Sequence, residues 1–132
     1  MLSDYYKRGC TGSSEIRTLV AIEDEYQAYR AVIATAIGIR RPHVEVTIAR
    51  PAAMDDYIQQ FAPHVVISSR PMPTSGTDVL AWVELSLDPA RRSKVCVGAR
   101  YSEMSNATLD RLLAVIDEAE GIVQIKNSSQ DR

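Results

Sequence analysis

Short runs of apolar, mostly β-branched residues alternate along the chain with longer segments whose apolar residues lie three or four positions apart. The short runs are typical of buried strands, and the longer segments are typical of helices with one buried face. Five strands are predicted, at residues 16–22, 44–48, 63–69, 94–98 and 122–125. Four helices are predicted between them, with apolar stripes in residues 26–37, 54–61, 80–87 and 109–116.

Proline and glycine mark the ends of these helices. Pro51 stands where the second helix opens, a position at which its missing N–H costs nothing. Gly38 and Gly121 are predicted to end the first and fourth helices. Asp88-Pro89 is predicted to end the third, and Trp82 is expected to pack beside the buried face of that helix.

Strands that alternate with helices predict an α/β domain of the doubly wound class, with a five-stranded parallel sheet and right-handed crossovers. Residues 1–14 are predicted to be a flexible leader, residues 15–126 the domain, and residues 127–132 a polar tail. The tail is too short and too polar to form a last helix. Part of one sheet face is therefore expected to lie bare, and a two-fold dimer is favoured over the leader as its cover.

The third predicted strand is the element that points to a site. Its apolar run ends in Ser68-Ser69 and is stopped by Pro71 and Pro73. A parallel strand that is buried on both faces reads as continuous Val and Ile, and the carboxyl ends of such strands hold ligands in open α/β sheets. The first predicted strand ends in the acidic cluster Glu23-Asp24-Glu25.

Composition limits the functional classes. The chain has 132 residues, of which 45% are hydrophobic and 24% charged, enough for one core. Its net charge is −2, so no global basic field favours direct nucleic-acid binding. No apolar run is long enough to cross a membrane, and no signal-peptide core is present, so a cytoplasmic protein is expected. Cys10 and Cys96 give no argument for a disulfide.

From residue 16 to residue 126 the sequence resembles the receiver domain of bacterial two-component response regulators. That family has an acidic pair after its first strand, and here Glu23 and Asp24 stand at the magnesium-binding positions. The family's third strand runs into Asp-x-x-Met-Pro, and the same frame here reads Ser69-Arg70-Pro71-Met72-Pro73. Ser69 therefore occupies the position of the phospho-accepting aspartate.

Two further family positions differ in part. The fourth strand of receivers ends in Thr or Ser followed by Ala, where this chain has Gly98-Ala99, so the switch hydroxyl is absent. The fifth strand ends in Lys-Pro, where Lys126-Asn127 keeps the lysine only. The resemblance implies strand order 2-1-3-4-5, which would bring Glu23, Asp24 and Ser69 together at the crevice where the order reverses.

Serine at the position of the phospho-accepting aspartate predicts a site that no longer forms an acyl phosphate. Acyl-phosphate formation needs a carboxylate nucleophile and a magnesium ion held by several anionic oxygens, and Ser69 supplies neither. At most weak Mg²⁺ binding is expected at Glu23 and Asp24, and no cofactor. Arg70 and Lys126 are expected to form ion pairs in the crevice instead. No elbow motif supports a serine hydrolase, and no enzymatic activity is expected.

The sequence therefore predicts a stand-alone, atypical receiver-like module that is not phosphorylated at the usual position and acts by protein–protein interaction. The resemblance implies a contact surface around the fourth helix and fifth strand. Its partner is unidentified, and a homodimer is expected. Two alternatives are a phosphorylation-dependent regulator of a phosphorelay and a small-ligand sensor that uses the emptied crevice.

Overall fold

The structure is a computed structural model that describes residues 16–73, 79–86, 88, 90–105 and 107–130, with the backbone alone from residue 126. Within these residues the chain has an α/β fold with one six-stranded sheet. The predicted leader, residues 1–14, lies outside them. None of the described helices is long and apolar enough to cross a membrane.

The described part of the chain contains six strands and three α-helices. The strands are β1 (Ile16–Ala21), β2 (Val44–Ile48), β3 (Val65–Ser68), β4 (Ala81–Glu84), β5 (Ser93–Val97) and β6 (Arg100–Met104). The helices are α1 (Gln27–Arg40), α2 (Met54–Phe61) and α3 (Leu109–Gln130). Short 3₁₀ turns, Asp24–Tyr26 and Pro51–Ala53, lead into α1 and α2.

The first half of the chain follows the prediction. Strands β1, β2 and β3 pair in parallel in the order β2-β1-β3, and α1 and α2 form the two connections. Residues Leu19 and Val66 pack with Met54 of α2, whereas Val20 and Ile67 pack with Ile37 of α1. Consecutive side chains of β1 and β3 thus enter opposite layers, which explains why these strands read as continuous apolar runs.

The second half differs, and the prediction of a five-stranded, all-parallel sheet is wrong. Strand β4 pairs in parallel with β3, but β5 and β6 continue the sheet antiparallel, in the order β2-β1-β3-β4-β5-β6. Gly98-Ala99 connects β5 to β6, and Gly98 has a φ of +58°. A glycine with positive φ at the first position of a two-residue loop is typical of a tight β-hairpin, so the chain reverses there rather than crossing over.

The third predicted helix is also wrong, because its centre forms β4. Ala81 and Val83 enter the layer of α1, and Trp82 enters the layer of α2, so that both faces of the strand are buried. The predicted helix stripe of Leu80 and Val83 is a spacing that a short buried strand also produces. The predicted end of the stripe, Leu87, lies outside the described residues.

The fifth predicted strand lies inside α3, which continues through Gly121 to Gln130. The helical spacing of Leu112, Ile116, Ala119 and Val123 carries across this glycine, and all four side chains contact the same core. Tertiary packing therefore outweighs the cost of a glycine within the helix. Residues 127–130 of the predicted tail belong to this helix, and residues 131–132 lie outside the described part.

The expectation of a bare sheet face is corrected by the same helix. Leu113 and Ile116 of α3 pack with Ile33 and Ile37 of α1 over the sheet. The sheet face that was expected to lie bare for want of a last helix is therefore covered. The predicted dimer loses its original physical basis.

Ion pairs tie the end of α1 to α3. Arg41 Nε donates to Asp117 Oδ1 at 2.8 Å, and Nη2 donates to Oδ2 at 2.7 Å, a bidentate pair. His43 Nε2 lies 2.9 Å from Glu120 Oε1. The Arg41 guanidinium, mainly through its hydrogen bonds, lowers the pKa of the Asp117 carboxyl. The two helices of this layer are thus joined by charge as well as by their apolar contacts.

The lowered pKa of Asp117 predicts a pH dependence of stability. A carboxyl whose folded-state pKa is depressed stabilises the fold above its unfolded pKa of about 4, and that contribution is lost as the pH falls through the folded value. Asp117→Asn should therefore lower the free energy of unfolding at pH 7 by up to about 1 kcal/mol, since the pair is partly exposed. Urea denaturation should show the difference constant above about pH 5 and shrinking below pH 4.

Asp110→Asn is the matched control, because Asp110 pairs with Arg40 at 3.5 Å between the same two helices but is more exposed. It should change stability less than Asp117→Asn. A difference for Asp117→Asn that grows as the pH falls would contradict the assignment.

Candidate functional site

The candidate site lies where β1 and β3 end side by side. Ala21 pairs with Ser68, and the backbone N–H of Ser69 donates to the Ala21 carbonyl at 3.4 Å. Ser69 Oγ lies 3.5 Å from Glu23 Oε2, to which it donates. Arg70 Nε donates to the same carboxylate oxygen at 3.3 Å. Of the residues predicted to share the crevice, Glu23, Ser69 and Arg70 lie in contact here.

Buried groups fix the backbone that carries Arg70. The N–H of Arg70 donates to Ser68 Oγ at 2.9 Å, and its carbonyl accepts from Trp82 Nε1 at 3.0 Å. Ser68 and Trp82 are both buried. The segment after β3 is thus fastened to the end of its own strand and to the neighbouring strand β4. The sequence did not assign this role to Trp82, because the role depends on β4 being a strand.

Asp24 is held by two other arginines. Arg30 Nη1 lies 3.2 Å from Asp24 Oδ1, and Arg50 Nε lies 3.4 Å from Asp24 Oδ2. Arg30 Nη1 also donates to the Ile22 carbonyl at 2.8 Å, and its side chain is only 11% exposed. Arg30 comes from the first turns of α1, and Arg50 follows β2. The sequence analysis assigned no role to either residue. The one signal in the sequence was their position, since Arg30 follows the acidic cluster and Arg50 follows the second strand.

The crevice lacks the excess of negative charge that a magnesium site needs, because arginine side chains contact its carboxylates. Glu23 and Asp24 each contact at least one guanidinium, and Ser69 adds no negative charge between them. A small hard cation prefers several anionic oxygens around it. Among the described residues, no group of three or more His, Cys, Asp and Glu side chains is arranged to hold a metal ion.

The other predicted site residues lie elsewhere. Strand β5 runs antiparallel, so Val97 pairs with Ala81, which in turn pairs with Val65 at the edge where β3 begins. The N–H of Gly98 donates to the Leu80 carbonyl at that edge, so Gly98-Ala99 is at the opposite end of the sheet from Ser69. Lys126 belongs to α3 and not to a strand end. The expectation that these positions share the crevice is therefore wrong.

A cavity of about 540 Å³ opens beside Ser69 along the carboxyl edge of the sheet. Lys94 has Glu84 and Glu103 as its neighbours on the adjoining strands, so charges of opposite sign alternate across the sheet. The strands form one wall of the cavity, and the loop from β4 to β5 forms another. The residues that line the cavity are Tyr26, Ser69, Glu84, Leu85, Ser86, Asp88, Arg91, Arg92, Lys94 and Glu103.

Hydrogen bonds shape the loop that carries the two arginines of this cavity. Ser86 Oγ donates to the Asp88 carbonyl, and Asp88 Oδ1 accepts from the N–H of Ala90 at 2.9 Å. The N–H of Arg91 donates to the Asp88 carbonyl at 3.0 Å. Arg92 pairs with Glu103 at 3.9 Å, whereas Arg91 has no carboxylate within 4 Å among the described residues. Its guanidinium is a charge that a ligand could neutralise.

Comparisons of the chain with protein-family models, with curated proteins and with solved structures found no match.

The ion pairs of the crevice predict weak magnesium binding. Calorimetric titration of the wild-type chain should show no binding of Mg²⁺ in the micromolar range, because three arginines already neutralise the two carboxylates. Arg70→Ala should strengthen binding by freeing Glu23. Arg17→Ala is the control, since Arg17 Nε donates to the Ala62 carbonyl at the amino edge of the sheet. Micromolar affinity in the wild type would refute the ion-pairing account.

Proposed function

We propose that the protein is a phosphorylation-independent, receiver-like signalling module that acts by binding a protein partner. The observation that carries this proposal is the arrangement of Ser69 between the Glu23 carboxylate and the segment of Arg70. The positions that would hold a metal and accept a phosphoryl group carry instead a neutral hydroxyl and carboxylates that contact arginines.

The surroundings of Ser69 argue against phosphoryl transfer. An alcohol needs a base to become a nucleophile. His64 lies at the other end of β3, where its Nδ1 accepts from the N–H of Arg17 at 3.0 Å. Glu23 is the carboxylate in contact with Ser69 Oγ, but the contact is long and the same oxygen accepts from Arg70. The Glu23 oxygen nearest to Ser69 Oγ is therefore shared with the Arg70 guanidinium.

The proposed likeness to receivers rests on the first half of the chain. The β1-α1-β2-α2-β3 unit carries acidic residues after its first strand and Ser69-Arg70-Pro71-Met72-Pro73 after its third. The second half, with its antiparallel hairpin, does not support the contact surface that the resemblance implies, because the residues of the supposed fifth strand belong to α3. A partner would therefore bind through a different surface.

Incubation with acetyl phosphate tests the proposal. Intact-mass measurement should show no phosphoryl group on the wild-type chain. Ser69→Asp should acquire one slowly, because it restores a carboxylate nucleophile and a third anionic oxygen for Mg²⁺. It should not restore a switch, since Gly98-Ala99 supplies no hydroxyl and lies at the other edge. The proposal fails if the wild type gains a phosphoryl group that Ser69→Ala prevents.

A second candidate, a small-ligand sensor, is favoured by the cavity beside Ser69. Its volume lies within the usual range for small-molecule sites. Carboxylates and basic side chains both line it, and Arg91 has no ion pair among the described residues. That pattern suits a small zwitterion such as an amino acid, whose carboxylate would approach Arg91 while its ammonium group faces Glu84 or Glu103.

A thermal-shift series with amino acids, inorganic phosphate and mononucleotides tests this candidate. Amino acids should raise the melting temperature of the wild type, by the mass action of ligand that binds only the folded state. Arg91→Ala should abolish the effect, and Arg111→Ala, an exposed arginine on α3, should leave it unchanged. The candidate is set aside if amino acids have no effect, or if Arg91→Ala responds as the wild type does.

A further inference from the structure

Helix α1 has a second apolar stripe, on the side that faces away from the sheet. Its inward side is buried through Ile33, Ala34 and Ile37. Its outward side exposes Val32 at 63% and Ile39 at 71% of their surfaces. The outward stripe, which we name the α1 outer face, consists of Ala28, Ala31, Val32, Thr35, Ala36 and Ile39.

The α1 outer face is free of charge. Between Arg30 and Arg40 the helix contains no charged residue. Arg30 does not contribute to the outer face, because its side chain turns inward to the Ile22 carbonyl and to Asp24. Surface helices normally place charged and polar residues opposite their buried side. A contiguous apolar surface over three helical turns is typical of a contact site.

Charged residues bracket the stripe with opposite signs. Glu25, one residue before Tyr26, is exposed, and Arg40 is exposed at the other end. Glu25 lies in the 3₁₀ turn that leads into α1 and Arg40 is the last residue of the helix, fifteen positions later, so the midpoint in sequence falls beside Val32. A two-fold interface must be complementary to itself. An apolar stripe with an acid at one end and a base at the other meets this requirement when two copies run antiparallel.

We propose that the α1 outer face binds the same face of a second copy of this chain, with the two helices antiparallel about a two-fold axis near Val32. Glu25 of each copy then lies beside Arg40 of the other, where it adds to the exposed 3.5 Å pair that Arg40 makes with Asp110 of its own chain. The two helix dipoles oppose one another favourably. Small side chains such as Ala31 and Thr35 allow the helices to approach closely. This contact goes beyond the proposed function and holds whether or not the crevice is inert.

The size of the stripe sets the expected strength of the dimer. From Ala28 to Ile39 the outer face is about 16 Å long. One such helix pair buries less than the roughly 1,200–2,000 Å² of a stable complex, so a weak dimer is expected. Sedimentation of the full chain from about 1 µM to 1 mM covers the dissociation constants of such contacts. A wild type that remains monomeric over this range overturns the proposal.

Val32→Glu is the first test variant, because it would place two carboxylates at the centre of the interface. It should weaken the dimer at least about tenfold, since a buried unpaired charge is costly. Ile125→Glu is the matched control, because Ile125 is 69% exposed on α3 and lies outside the outer face. It should sediment as the wild type does. A dimer that survives Val32→Glu, or is lost equally in the control, overturns the proposal.

Charge reversal gives a second test that does not introduce a charge into the apolar stripe. Glu25→Arg and Arg40→Glu should each weaken the dimer, because each pairs like charges across the interface. The double variant Glu25→Arg with Arg40→Glu should recover the dimer of the wild type. Failure of the double variant to recover, with all melting temperatures within a few degrees of the wild type, would overturn the antiparallel arrangement.

Discussion

Burial of β3 on both faces is the constraint on which the rest of the structure depends. Val65, Val66, Ile67 and Ser68 are all fully buried, in the middle of the sheet between β1 and β4. Removing each of these aliphatic side chains from water contributes roughly 1.5–3 kcal/mol. That gain requires a layer on each side, which α1 and α3 supply on one face and α2 with Trp82 on the other. At the end of the strand the buried Ser68 Oγ accepts a hydrogen bond from the N–H of Arg70, so this polar group is not left unsatisfied.

The first half of the fold could be predicted because its local and tertiary signals agree. Strands β1 to β3 are continuous or alternating apolar runs, and Pro51 marks the approach to α2. The second half could not, since its short runs fit two structures. Residues 81–84 are too few to distinguish a strand from a helix turn, and residues 122–125 are apolar in a strand-like way while continuing the helical spacing of Leu112 and Ile116. Packing against the sheet decided both, and packing is not visible in a local window.

The candidate site shows the same division. Glu23, Ser69 and Arg70 could be predicted because neighbouring parallel strands end at one edge, whatever happens later in the chain. Gly98 and Lys126 could not be placed, because their positions depended on two strands that the structure does not form as predicted. The arginines that hold Asp24 could not be foreseen either. Arg30 and Arg50 reach it with long side chains, so the contact depends on how α1 and β2 lie relative to β1.

The placement of charge around α1 connects the crevice with the surface. Arg30 near its start is turned into the site, where it holds the Ile22 carbonyl and Asp24. Arg41 after its end is turned to α3, where it holds both oxygens of Asp117. The helix is thus anchored inward at both ends by guanidinium groups and along its length by Ile33 and Ile37. None of these anchors uses the outward side. Within the described residues Val32 and Ile39 of this outer face stay largely exposed, and the proposed contact with a second chain would remove them from water.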